Sequence, residues 1–217
     1  DDQERDDHGR FAGPGGGGGS GGGGGAVDFG KDQEAARTWA ADNLMVPKMT
    51  TPQAEAAHWY KEQGYRLVNP YLRGNIPAWA DEETKVRWEA MANTIDVVMA
   101  KTELPEDAVV YRGMSFSEGV ESLDVGDTFQ DNAFVSTSLS SVDAREFAMR
   151  GERGERALVQ IEVEAGQQGI YMDDPAINWS GKLQEEEVLL PRGLNFEVIE
   201  VKIPSNGLPI ITLKVTK

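Results

Sequence analysis

The chain has 217 residues, 39% of them hydrophobic, enough for one domain of ordinary size, and no apolar run near the roughly 18 residues that span a bilayer. It has no cysteine, which excludes a disulfide framework, a thiolate nucleophile and cysteine-ligated zinc. With 37 acidic against 21 basic residues, the net charge of −16 disfavours nucleic acid and anionic membrane as partners; it favours basic protein targets and equally fits simple solubility.

Residues 1–30 read as a disordered acidic and Gly-rich tether. Asp1 to Asp7 form a charge run, and residues 13 to 25 are almost entirely glycine, with no side chains to bury. A chain opening at Asp1 reads as a fragment or processed product, once joined to something upstream. The globular part is expected over 31–217, mainly helical over 31–104 and mainly β over 105–217.

From Asp32, Ala36, Trp39, Ala40 and Leu44 recur at helical spacing until Pro47. Thr51-Pro52 reads as the start of a second helix running through Gln63 and ended by Gly64. A short helix follows from Tyr65 to Leu72, with Asn69 before Pro70 at its end or at a kink. Asp81-Glu82-Glu83 begins a longer helix, its acidic first turn suited to the helix dipole. After Pro105 the period changes to two, and strands are predicted over 109–112, 129–138, 157–164, 187–190, 196–203 and 210–216. One helix interrupts them from Val142 to about Arg150. Helices first and strands after argue for an α+β fold.

Three motifs place charged or hydroxyl groups at strand ends: Val110-Tyr111-Arg112-Gly113, Phe134-Val135-Ser136-Thr137-Ser138 and Glu185-Glu186-Glu187-Val188-Leu189-Leu190-Pro191. A guanidinium at the end of a strand matches phosphate geometry, although a lone Tyr-Arg-Gly also fits a surface salt bridge. In strand geometry Phe134, Ser136 and Ser138 share one face, and hydroxyls turned inward need partners. Glu185 and Glu187 share a face while Glu186 points away, so the pair repels and one carboxyl is pushed toward a higher pKa. The plain alternatives are an ordinary strand end and a solvated acidic edge.

Together, in this order and with these neighbours, the motifs resemble the arginine, Ser-Thr-Ser, Glu-x-Glu signature of mono-ADP-ribosyltransferases of the binary-toxin and exoenzyme type. The resemblance covers roughly residues 32 to 217. It implies an N-terminal helical subdomain followed by a core of two facing sheets with NAD in the cleft between them. It implies that Arg112 holds the phosphate and ribose portion of NAD and that Ser136 orients the catalytic glutamate. Glu187 would stabilise the oxocarbenium-like state formed as nicotinamide leaves, as carboxylates do in glycoside hydrolysis. Tyr65-Arg66-Leu67-Val68-Asn69-Pro70-Tyr71-Leu72-Arg73 is similar to the family's cofactor helix, so Tyr65 and Asn69 become NAD contacts alongside Gly113. Phe147 matches an aromatic covering the nicotinamide, although it equally fits the buried face of its helix, and Arg150 matches an arginine reaching the phosphates.

In the family, glutamate at position 185 goes with arginine acceptors, where a second carboxylate can orient the guanidinium and take its proton. The loop from Met172 to Lys182 would meet the acceptor protein. Lys182 stands where such toxins often carry an aromatic, with Trp179 further back, and this departure bears on target choice. The expected activity is therefore NAD-dependent ADP-ribosylation of protein arginine with release of nicotinamide. The alternatives are an NAD glycohydrolase and a non-catalytic virion or effector module. No metal is expected: His8 and His58 are isolated, and Asp173-Asp174 lack the closing ligands of a calcium loop. A monomer is expected, tethered at its N-terminus, associated with a virion or delivered into a target cell to act in the cytoplasm. The segment Arg5-Asp6-Asp7-His8-Gly9-Arg10-Phe11 is similar to linkers of bacteriophage head and portal proteins, which implies a phage origin.

Overall fold

A computed structural model describes residues 25–116, 118–150, 154–181 and 184–216. Five α-helices and eight strands are present among them: α1 (Gln33–Asn43), α2 (Thr51–Trp59), α3 (Tyr65–Leu72), α4 (Glu82–Met99), β1 (Ala108–Phe116), β2 (Thr128–Asp131), β3 (Val135–Ser138), α5 (Ser141–Arg150), β4 (Glu155–Val163), β5 (Ile170–Tyr171), β6 (Glu187–Leu190), β7 (Leu194–Lys202) and β8 (Ile210–Thr216). Helix starts follow local chemistry. Asp32 accepts the Ala35 N–H at 3.0 Å and Asp81 the Thr84 N–H at 2.8 Å, each satisfying a donor with no partner inside its helix.

Several expectations are corrected. Gly64 does not end the second helix: a π-helical turn over Tyr60–Gly64 runs directly into α3. A Cβ at Gly64 would overlap the Trp59 ring, so the turn depends on that residue being glycine. Asn69 is not at a helix end, since α3 carries Pro70 inside and continues to Leu72. The long strand predicted over 129–138 is two strands far apart in the sheet, β2 pairing β7 and β3 pairing β6. They part where the Asp131 carboxylate accepts the Ala133 N–H at 3.0 Å, a local turn that competes with the ladder.

The strands form one eight-stranded sheet in the order β2-β7-β8-β4-β1-β3-β6-β5, not the two facing sheets expected. The difference rests on a single register pair, Tyr111 with Ser138, which joins β1 to β3 and so links a five-strand portion to a three-strand portion. The helices pack directly on this sheet. Phe134, Ile170 and Leu189 pack with Tyr60, Val68, Trp88, Ile95 and Met99 of the helical segment in one core, while Val135, Val188 and Leu190 pack with Ala36 and Ala40 of α1 and with Leu44 just after it in another. Alternation along β3 and β6 thus divides their side chains between two helical layers. α5 packs through Ala144 against Tyr111 and Leu158.

Of the expected tether, residues 1–24 lie outside the described residues. Residues 25 to 30 belong to the fold: Ala26 is buried, Val27 forms a parallel bridge to Ala108, and the Gly30 carbonyl accepts the Ser141 N–H. The Tyr111 hydroxyl donates to Asp28. Ala26 and Val27 give this stretch apolar side chains to bury beside β1.

Candidate active site

A cleft of about 370 Å³ opens where β1 and β3 part, and Tyr65, Asn69, Arg112, Gly113, Ser136, Phe147, Arg150, Glu185 and Glu187 all line it. The residues expected to contact NAD or carry the chemistry thus line one cleft. The single-pair junction explains why: beyond Tyr111–Ser138 the two strands no longer exchange main-chain bonds, and Arg112 reaches across with its side chain instead. Its Nη1 donates to the Ser136 carbonyl at 2.9 Å. Burial and the nearby Arg73 guanidinium hold Arg112 below the ordinary arginine value, while Asp131, Tyr60 and Glu187 act the other way. A guanidinium stays protonated throughout the working range.

Gly113 lies against α5, where a Cβ would overlap the Ala144 carbonyl and the Ala148 backbone. Its lack of a side chain lets β1 and α5 approach at the cleft floor. Phe147 turns away from that contact and is 40% exposed, so the buried face of α5 is carried by Ala144 and Ala148. The Arg150 guanidinium stands 5.4 Å from the Phe147 ring centroid, within cation–π range, and pairs with Glu146 at 3.1 Å. Across the cleft, Arg66 Nε donates to the Tyr65 hydroxyl at 3.0 Å. Asn69 is buried, and its Oδ1 accepts the Tyr60 hydroxyl at 3.0 Å, which leaves its amide N–H groups free of that bond.

The hydroxyls of β3 divide their work. Thr137 donates to the Val188 carbonyl and Ser138 to the Glu185 carbonyl, each at 2.6 Å, pinning β3 to the glutamate segment. The Ser136 hydroxyl beside the Glu187 carboxylate favours its charged form. Burial acts more strongly in the opposite direction and leaves Glu187 with a raised pKa. Glu185 is half-buried, and burial together with the Glu187 charge pushes it up to about 7. Glu186 does point away, as the spacing requires: its backbone adopts φ 46°, and its carboxylate receives the Arg37 guanidinium of α1 at 2.6 Å.

Sequence reasoning missed Lys61 and Asp173. The Lys61 ammonium lies 2.7 Å from Asp173 Oδ1 and 3.2 Å from Glu187 Oε2. Asp173 Oδ2 accepts the backbone N–H of Glu185 at 2.9 Å and of Glu187 at 3.2 Å. A lysine in a helical stretch carries no pattern that marks it as buried, and an aspartate in a loop carries none that ties it to a lysine more than 100 residues away. Trp179 of the loop after β5 is 54% exposed and stacks on His58 of α2 with ring centroids 3.7 Å apart. Lys182 lies outside the described residues. Among the described residues no group of three or more His, Cys, Asp or Glu is placed to hold a metal, and no helix is long and apolar enough to cross a membrane.

A family model described as ADP-ribosyltransferase exoenzyme matches residues 34–216. No curated protein matches the chain. Among solved structures, Plx2a, an ADP-ribosyltransferase toxin from Paenibacillus larvae, is 22% identical with TM-score 0.69, over 88% of this chain and 100% of that one. C3stau2 from S. aureus is 21% identical with TM-score 0.67, over 88% and 99%. Vis toxin, an ADP-ribosyltransferase from Vibrio splendidus, is 22% identical with TM-score 0.65, over 85% and 83%. At these identities the likeness establishes a shared fold: mixed helices around an antiparallel-rich sheet.

Proposed function

The chain belongs to the ADP-ribosyltransferase exoenzyme family, and from that premise we propose that it transfers ADP-ribose from NAD to an arginine side chain of a protein, releasing nicotinamide. The family fixes the broad chemistry, NAD-dependent ADP-ribosyl transfer by a toxin-type enzyme. The observation that carries the finer reading is the convergence of Arg112, Ser136, Glu185 and Glu187 on one cleft.

The residues divide the reaction as follows. Arg112, Arg150 and the Tyr65–Asn69 face of α3 bind the dinucleotide, and Phe147 offers a π-face to the cationic nicotinamide ring. The bond from the ribose anomeric carbon to nicotinamide breaks with its electron pair leaving on the base. Glu187, held by Lys61 with Ser136 beside it, stabilises the positive charge that develops on the sugar. The acceptor nitrogen then bonds the same carbon and gives up a proton. Glu185, poised at about 7 and lining the same cleft, is a base matched to neutral pH.

Two neighbours support the substrates: C3stau2 is described with NAD, and Vis with agmatine, a compound bearing the same guanidinium group as arginine. The exposed Trp179 offers a surface for the protein acceptor. A secreted or delivered effector fits a toxin-type family. The test is incubation with labelled NAD and cell lysate, followed by mass spectrometry of the labelled residue. Label on arginine is the expected outcome; label on asparagine, cysteine or nucleic acid overturns the acceptor assignment. Nicotinamide release measured with and without protein acceptor separates transfer from hydrolysis.

A further inference from the structure

Lys61 is buried with its side chain 1% exposed, and its ammonium ends between two carboxylates that are themselves largely hidden, Asp173 and Glu187. A buried ion pair is weak support for stability, since apolar residues of similar volume often serve a core as well or better. Its retention at the floor of the cleft therefore calls for another reason. Lys61 belongs to the π-helical turn between α2 and α3, and the extra residue of that turn breaks the regular helical progression there. This turn sets a cation under the glutamate pair.

Two connections leave the ammonium. One goes directly to Glu187 Oε2 at 3.2 Å. The other goes through Asp173, whose second oxygen accepts the backbone N–H groups of both Glu185 and Glu187. We infer that Lys61 is a positioning residue for ADP-ribosyl transfer: it holds Glu187 charged and aimed at the sugar, and through Asp173 it fixes the backbone that presents both glutamates. The inference rests on the NAD-dependent reading above.

The groups facing Glu187 are Lys61 from the turn, Asp173 from the loop after β5, Glu185 from its own segment, Arg112 from β1, the Tyr60 hydroxyl and Ser136. Among them Lys61 favours the charged form of both Glu187 and Glu185, and Asp173 disfavours it for both. The two variants Lys61→Met and Asp173→Asn therefore displace proton binding in opposite directions. Asn keeps an oxygen able to accept the two backbone N–H groups, so Asp173→Asn removes charge and retains the scaffold.

The experiment measures nicotinamide release from NAD between pH 5 and 9, with circular dichroism to check folding. For Lys61→Met, kcat at pH 7 is expected to fall about tenfold, with KM for NAD within about twofold. Its acid limb moves up by about one pH unit, so the deficit narrows as pH rises. Lys61→Arg recovers part of the rate. For Asp173→Asn the acid limb moves down. Folded variants with unmoved limbs, whether their rates are normal or uniformly low, overturn the inference while leaving the family chemistry intact. Should Lys61→Met not fold, the direction of the Asp173→Asn limb decides alone. A wild-type protein that releases no nicotinamide overturns the NAD-dependent reading and this inference with it.

Discussion

Glu187 and Glu185 differ in what surrounds them, and the difference separates their roles. Glu187 is 9% exposed and bonded by Lys61, whereas Glu185 is half-buried with its carboxyl at about 7. Replacing Glu187 by glutamine keeps the shape and removes the charge proposed to stabilise the sugar cation. Nicotinamide release is expected to fall by about 100-fold to 1,000-fold with the far-UV spectrum unchanged; a residual rate near wild type would contradict the assignment. Glu185 must lose its proton to serve as base, so transfer to arginine should rise with pH through about 7. In Glu185→Gln that rise disappears along with transfer, while NAD hydrolysis continues. A transfer rate flat across pH 6 to 8 would speak against a base at this position.

At the level of elements, the cleft exists because β1 and β3 touch through one pair and then part, and because α5 seats tightly on β1 at Gly113. Gly113→Ala forces a methyl group into the backbone of Ala144 and Ala148, so strand and helix must separate. A loss of about 1–3 kcal/mol is expected, read as a lowered Tm and denaturant midpoint. Unchanged stability would show that α5 can shift at no cost. The same spacing makes Gly113 both a packing requirement and a cleft residue, which a tripeptide in the sequence does not distinguish. The π-helical turn is comparable. Tyr60 to Gly64 read as the end of one helix because glycine commonly stops helices, whereas here its missing side chain makes room for the Trp59 ring.

Across the whole molecule, negative charge concentrates where the chemistry requires it. Glu185, Glu186 and Glu187 all have raised pKa values, with burial the first cause in each. A carboxyl with a raised folded value holds its proton more tightly in the folded state, so stability falls as pH climbs from the ordinary value of 4.5 through about 7. The urea midpoint should therefore be lower at pH 8 than at pH 5.5, with a shallower dependence in Glu185→Gln. With a net charge of −16, added salt should recover part of the loss at pH 8 by screening repulsion. A midpoint that rises with pH would contradict this account.

Hydrophobic period, caps and turn residues made most elements legible along the chain, since those signals are local: α1, α4, α5, β6 and β8 lie close to where spacing predicts them. The order of the arginine, hydroxyl and glutamate motifs pointed to the family chemistry, although Arg112, expected at a strand end, lies in the middle of β1, which continues to Phe116. What remained hidden depended on partners distant in sequence. The continuity of the sheet hangs on Tyr111 meeting Ser138, and the split of one predicted strand into β2 and β3 on which neighbours each half finds. Lys61 reads as an ordinary helical lysine until Asp173 and Glu187, more than 100 residues away, close around it. A single chain segment specifies its own backbone preference, but the burial of a charge is decided by what packs against it, and only the tertiary structure supplies that.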